Sequence, residues 1–234
     1  MSRFKKIARE HFSLVVSLPR NDPALARAAQ EAGADALKVH INMHHRASGN
    51  LFGPWKEEAE ALRAILSSVL IPVGIVPGAE VQSSYEELCE MAEAGFDFWD
   101  VFYQYLPPGF FRHPSLGKMV AINREATPGI IAGLEEMGME LMEMSVVPGE
   151  EYGQPLSARE LALCRVCAAA TAVPALVSSQ KKIDPRDVGL LRKMGVCGLI
   201  IGAIVTGSSV ESLSSAVSVF RKEIANLDTG RIIS

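Results

Sequence analysis

Along the chain, short apolar runs alternate with longer stretches in which apolar residues recur every three or four positions. The runs are LVVSL, ALKVHI, VGIV, FWDVF, MVAIN, LMEMSVV, ALVSS and GLIIGA. They predict strands near 12–18, 34–41, 72–77, 96–102, 118–123, 139–147, 174–179 and 197–202, apolar enough for a parallel sheet covered on both faces. Helical periodicity falls between them, near 22–33, 56–69, 83–94, 127–137, 157–171, 184–194 and 209–226.

Four helix-to-strand joints share one grammar: Glu31-Ala32-Gly33-Ala34-Asp35, Glu93-Ala94-Gly95-Phe96-Asp97, Glu136-Met137-Gly138-Met139-Glu140 and Lys193-Met194-Gly195-Val196-Cys197. Each Gly stands where a helix ends in a left-handed residue. Two other joints use Pro72 and Pro174, which stop a helix and open a strand. Asp22-Pro23, Thr127-Pro128 and Asp184-Pro185 pair a capping residue with Pro at the first helical position. Ser83 with Glu86, and Ser157 with Glu160, fit a capping box.

Eight such units in succession predict an α/β protein, a single (β/α)8 TIM barrel over residues 1–234, with an open doubly wound sheet as the alternative. The fourth unit departs from the grammar, because 103–117 (YQYLPPGFFRHPSLG) reads as a long loop. No linker or composition shift divides the chain.

Composition narrows the function classes. Lys and Arg number 23 against 27 Asp and Glu, a net charge of −4 with no basic stripe, which argues against nucleic-acid binding. The longest apolar runs, such as Leu199–Val205, fall short of the ~20 residues that span a bilayer. The basic opening MSRFKKIARE leads to no signal-type apolar segment, so a cytoplasmic protein is expected. Cys89, Cys164, Cys167 and Cys197 read as buried free thiols. The Cys164/Cys167 spacing has no second pair to complete a zinc site, so neither metal nor cofactor is expected.

In such a barrel the chemistry sits at the C-terminal ends of the strands. Strand alternation puts Lys38, His40 and Asn42 on one face, Phe98, Asp100 and Phe102 on another, and Glu143 with Ser145 on a third. Ser17, Asn123, Ser178 and Gln180 complete the inward set. Charges in a barrel interior are costly unless paired, so Lys38, Asp100 and Glu143 are the candidate catalytic residues. Ser17, His40, Asn123, Ser178 and Gln180 are candidate substrate contacts. A satisfied ion-pair network without catalysis is the plain alternative.

The end of strand eight, Gly198–Ser209, is rich in small residues, and the start of a helix there suits an anion. Ser179, Gly202, Ala203, Thr206 and Gly207 are the candidate phosphate contacts, with Lys181 and Lys182 supplying cations nearby. The loop 42–55 is long for its place and reads as a lid or substrate contact. Within it His44 and His45, with His40, read as solvated or substrate-facing imidazoles rather than metal ligands. Loops 103–117 and 148–156 crowd the same mouth. Phe110 and Phe111 either cover a ligand or form a subunit contact, which leaves a homo-oligomer open.

The order of elements and the Ile201-Gly202-Ala203-Ile204 ending of strand eight resemble the ribulose-phosphate-binding barrels, nearest in pattern to the N-acylmannosamine-6-phosphate 2-epimerases. The resemblance covers most of the chain and is clearest in the first two and last two units. Val16-Ser17 is similar to the opening of that family's first strand, although its Gln position is Pro19 here. Lys38 stands at a substrate-binding Arg, and Asp100 at an Asp that ends strand four. The family's catalytic Lys falls at Pro77 and its catalytic Glu at Ser178. The resemblance therefore implies the barrel and the phosphate grip, and not the epimerase mechanism residue by residue.

The expected function is proton transfer beside a carbonyl in a small phosphorylated metabolite, as in a sugar-phosphate isomerase or epimerase. A lyase or synthase using Lys38 as a Schiff-base amine, and a non-catalytic phospho-ligand-binding barrel, are the alternatives.

Overall fold

In a computed structural model of the chain, residues 2–228 are described. Eight parallel strands close into a barrel. They are β1 (Ser13–Ser17), β2 (Ala36–His40), β3 (Val73–Val76), β4 (Phe98–Phe102), β5 (Gly117–Ile122), β6 (Leu141–Met144), β7 (Ala175–Ser178) and β8 (Gly198–Ile201). β1 pairs with both β2 and β8, which closes the ring and excludes the open sheet.

The Gly joints adopt the left-handed conformation expected of them: φ is 103° at Gly33, 109° at Gly95, 107° at Gly138 and 89° at Gly195. The residue two positions later starts the next strand's ladder each time. Asp35 N–H donates to Leu14 O, Asp97 N–H to Val73 O, Glu140 N–H to Lys118 O and Cys197 N–H to Ala175 O. Three of the four are acidic and do a second task with their side chains, accepting backbone N–H groups at the closed end of the barrel. Asp35 accepts from Leu14, Glu140 from Lys118, and Asp97 from Arg3 and Phe4.

Asp97 thereby docks a helix the periodicity did not predict, α1 (Arg3–Glu10). Its apolar side is short, with Phe4 and Ala8 the buried residues, which explains why a basic, polar segment concealed it. Phe4 enters the N-terminal end of the barrel and stacks on Phe98 at 5.2 Å. A side chain at Gly74 would lie 2.1 Å from the Phe98 ring, so the glycine makes room for the aromatic pair. Val15, Ala36, Met119, Leu141, Leu176 and Ile200 fill the rest of this apolar layer.

The surrounding helices are α2 (Pro23–Glu31), α3 (Trp55–Ser68), α4 (Tyr85–Ala94), α5 (Pro128–Glu136), α6 (Ala158–Ala168), α7 (Val188–Lys193), α8 (Ala203–Thr206) and α9 (Val210–Asp228). Asp22, Thr127 and Asp184 cap as expected, and Ser157 with Glu160 forms its capping box. The other box is one residue later than predicted, at Ser84 and Glu87, because Ser83 is turned inward to donate to Pro77 O.

Segment 103–117 carries a short 3-10 turn, Pro108–Arg112, in place of a full helix. Phe110 and Phe111 pack edge-on against Trp99, at 6.2 and 5.7 Å, so they complete the core and do not line the mouth. Segment 42–55 contains an antiparallel hairpin, Met43–His45 with Asn50–Phe52, where a plain loop was expected. Asn42 opens it in a left-handed conformation, φ 53°, and its amide donates to Pro77 O and Ser83 Oγ. It therefore leaves the inward row of Lys38 and His40.

Candidate active site

Moving two residues along each strand from the apolar layer turns the interior polar. Val15 gives way to Ser17, Ala36 to Lys38, Phe98 to Asp100, Leu141 to Glu143 and Leu176 to Ser178. This row forms the floor of a cavity of about 450 Å³ at the C-terminal ends of the strands. The next residues on the same faces, among them His40, Asn123, Ser145 and Gln180, form its wall.

Lys38, Asp100 and Glu143 meet on that floor. Lys38 Nζ donates to Asp100 Oδ2 at 2.9 Å and to Glu143 Oε2 at 2.7 Å, and all three side chains are buried. Two carboxylates and one ammonium cannot all be ionised in a dry interior without a net charge. The surroundings decide which carboxyl keeps the proton. Glu143 also accepts from Ser145 Oγ at 3.0 Å and from Ser178 Oγ. Asp100 has only Lys38 and Glu143 itself, and its buried Oδ1 has no partner among the described residues.

The two carboxyls accordingly part. Burial pushes Asp100 well above the usual carboxylate range, reinforced by the charge of Glu143 and only partly offset by Lys38. Burial acts on Glu143 in the same sense but is outweighed by the Lys38 ammonium and by hydrogen bonds from Asp100, Lys38 and Ser178, which hold it low. Lys38 stays protonated, because the two carboxyls overcome the effect of its burial.

His40 borders this floor. Its Nε2 lies 3.3 Å from Ser17 Oγ, and its ring packs on His45 at 4.4 Å and on Phe52 at 5.2 Å. Burial, then His45 and Lys38, push His40 well below the usual imidazole range. Burial and Lys38 push His45 down to about 4, with Glu143 opposing. Both rings are neutral at pH 7. His45 is oriented by Ser48, whose Oγ lies 2.8 Å from Nδ1. Among the described residues no three His, Cys, Asp or Glu side chains gather as a metal would need.

Other expected contacts divide. Ser178, Ser179 and Gly202 line the cavity, and Gly202 N–H donates to Ser179 Oγ at 3.0 Å. Ala203, Thr206 and Gly207 are not in its lining. Thr206 is buried with its hydroxyl donating to Gly207 O, and a side chain at Gly207 would meet Ser212. Gln180 lines the cavity with its amide engaged: it accepts from Val147 N–H at 2.9 Å and donates to Tyr152 Oη at 2.6 Å. Asn123 Oδ1 accepts from Tyr103 Oη and from Glu125 N–H. Lys181 is turned away, buried and donating to Glu151 at 2.7 Å, so it is not the phosphate cation that its sequence position suggests. Tyr152 and Arg46 also line the cavity. Neither stood out in sequence beyond lying in the two loops that crowd the mouth.

No protein-family model matches the chain, and no curated protein is detectably similar to it in sequence. Solved structures share its fold. Phosphoribosyl anthranilate isomerase from Thermus thermophilus is 16% identical, covering 92% of this chain and 100% of its own, with a TM-score of 0.69. Tryptophan synthase from Mycobacterium tuberculosis is 15% identical over 95% of this chain and 98% of its own, with a TM-score of 0.68. Thiamine phosphate pyrophosphorylase from Pyrococcus furiosus is 14% identical over 94% and 98%, with a TM-score of 0.63. The barrel implied by the resemblance is thus the fold found. At such identities the likeness concerns the fold alone.

Proposed function

We propose that the chain is an enzyme acting on a small phosphorylated substrate by proton transfer beside a carbonyl, an isomerase- or epimerase-like reaction. The observation that carries this reading is the Lys38–Asp100–Glu143 cluster on the floor of the cavity. An ammonium has three N–H donors, and Lys38 commits one to each carboxyl, leaving one for a substrate oxygen. Glu143 takes the proton from carbon. The C–H electron pair becomes the new C=C bond, and the carbonyl oxygen takes the proton held by Asp100. Lys38 stabilises the oxyanion as it develops. As its charge turns toward the substrate, Glu143 loses part of what depresses it and becomes a stronger base. Ser17 and His40, with Ser178, Asn123 and Gln180, border the reacting carbons. Ser179 and Gly202, which line the cavity beside this floor, border the phosphate. Two neighbours in fold carry phosphorylated compounds in their names, which agrees with this substrate class.

The test is Lys38→Met together with a thermal-shift screen of phosphorylated metabolites. A bound metabolite raises the melting temperature by mass action. The variant is expected to fold and to lose turnover; retained turnover, or no phosphorylated compound that shifts the wild type, would remove the reading. An ammonium tied to two carboxyls is a poor nucleophile, which weighs against the Schiff-base lyase or synthase. Borohydride trapping of substrate on Lys38 separates the two chemistries.

A further inference from the structure

The hairpin after β2 crosses the mouth of the barrel. In a ring of eight strands, β2 and β6 stand opposite one another. Yet Arg46, at the turn of the β2 hairpin, rests on Gly149 in the loop after β6. A Cβ placed on Gly149 would come within 1.5 Å of Arg46 Nη1, so the guanidinium lies against a bare backbone. Its charge also reaches Tyr152 in the same loop. The hairpin is fixed at its other side by Asn50, whose amide donates to Pro19 O at 2.7 Å, and by the His40–His45–Phe52 packing. It is a strap, and Arg46, exposed at its turn, lines the cavity.

The charged side chains lining the cavity are Lys38, Arg46, Glu80, Asp100 and Glu143. Lys38 is held by two carboxyls, and Lys181 is turned away to Glu151. Arg46 has no ion-pair partner among the described residues, and it is the cation of the lining left for a ligand. Its planar fork offers two parallel N–H groups, which match the paired oxygens of a phosphoryl or carboxylate group.

We propose that Arg46 binds an oxyanion of the substrate from the roof of the cavity, above the Lys38–Asp100–Glu143 floor, and that Gly149 is the seat that lets the guanidinium lie there. This rests on reading the cavity as the site of a phosphorylated substrate, and it names the residue that supplies charge to it. A phosphoryl group and a carboxylate of the same substrate present the same pair of oxygens, and the test separates them.

Inorganic phosphate and acetate are titrated into wild type, Arg46→Gln, Arg46→Lys, Gly149→Ala and Ser179→Ala. Binding is read by phosphorus NMR line broadening and by calorimetry, with urea midpoints confirming the fold. Arg46→Gln is expected to weaken binding of at least one anion roughly tenfold or more, and Arg46→Lys by less. Gly149→Ala, which keeps the arginine but removes its seat, follows Arg46→Gln. Loss of phosphate binding identifies the roof group as phosphoryl, and loss of acetate alone identifies a carboxylate. Wild-type affinity for both anions in Arg46→Gln overturns the proposal. If only Ser179→Ala then weakens phosphate, the phosphorylated-substrate reading stands without it. A wild type that binds neither anion overturns both.

Discussion

Lys38 and Glu143 meet at 2.7 Å although their strands stand on opposite sides of the barrel and 105 residues separate them in sequence. The pair joins the two halves of the ring through its centre. Truncating Lys38 to Met leaves the Glu143 carboxylate buried without its cation, a loss of about 3–5 kcal/mol at neutral pH. Glu143 is depressed in the folded state, so its contribution is complete above the ordinary carboxyl value and fades as the pH falls toward its folded value. The difference between wild type and Lys38→Met, measured by urea unfolding, should therefore shrink in acid. A difference that stays constant with pH would contradict the pairing.

Asp100 and Glu143 should respond unequally to amide substitution. Asn resembles a protonated Asp, so Asp100→Asn should cost roughly 1 kcal/mol or less, whereas Glu143→Gln removes a charge held by Lys38 and should cost about 3 kcal/mol. The pH trend of Asp100 has the opposite sign. Its folded value is raised, so its stabilisation is complete below the ordinary carboxyl value and is lost as the pH climbs toward the folded value. Asp100→Asn is free of that loss, so it should gain on the wild type as the pH rises above the ordinary carboxyl value. Equal costs for the two substitutions would assign the proton wrongly.

The His40–His45 stack makes the strap sensitive to acid. His45 is ordinarily near 6.5 and is held down to about 4 in the folded protein. The unfolded chain therefore binds the extra proton first, and stability falls as the pH drops from about 6.5 to about 4, by roughly 3 kcal/mol at most. His45→Gln should flatten that part of the profile. Proton titration of His45 by NMR provides the direct check, and a midpoint near 6.5 would refute the burial argument.

At the other end of the barrel, Phe4→Ala should cost about 3–5 kcal/mol, because Phe4 is wholly buried against Phe98. Gly74→Ala should also be costly, by roughly 1–3 kcal/mol, since its methyl would overlap the Phe98 ring. Gly95→Ala, with open space around it, should show only the backbone cost of a left-handed Ala, about 1 kcal/mol. Thermal unfolding of the three variants orders these costs. Phe4→Ala at wild-type stability would show that α1 is not needed to close the barrel.

How far the chain could be read depended on whether a signal was local. The joints at Gly33, Gly95, Gly138 and Gly195 carry a backbone requirement in one residue, and strand alternation then placed Lys38, Asp100 and Glu143 at one height. Features set by distant partners were hidden. α1 depends on Asp97, far along the chain, and Lys181 is withdrawn from the mouth by Glu151. The hairpin 43–52 is pinned by Asn50 to Pro19, which no spacing within the loop announces. Thr206 sits in a small-residue run suited to an anion, yet its hydroxyl is spent on Gly207.

The Phe4–Phe98 seal has a consequence for access. With the lower layer filled by Phe4, Phe98, Met119 and their neighbours, the lumen is closed at its N-terminal end among the described residues. On the proposed function, substrate, product and every proton that exchanges with Asp100 would share the one mouth at the C-terminal ends of the strands, past the Met43–Phe52 hairpin.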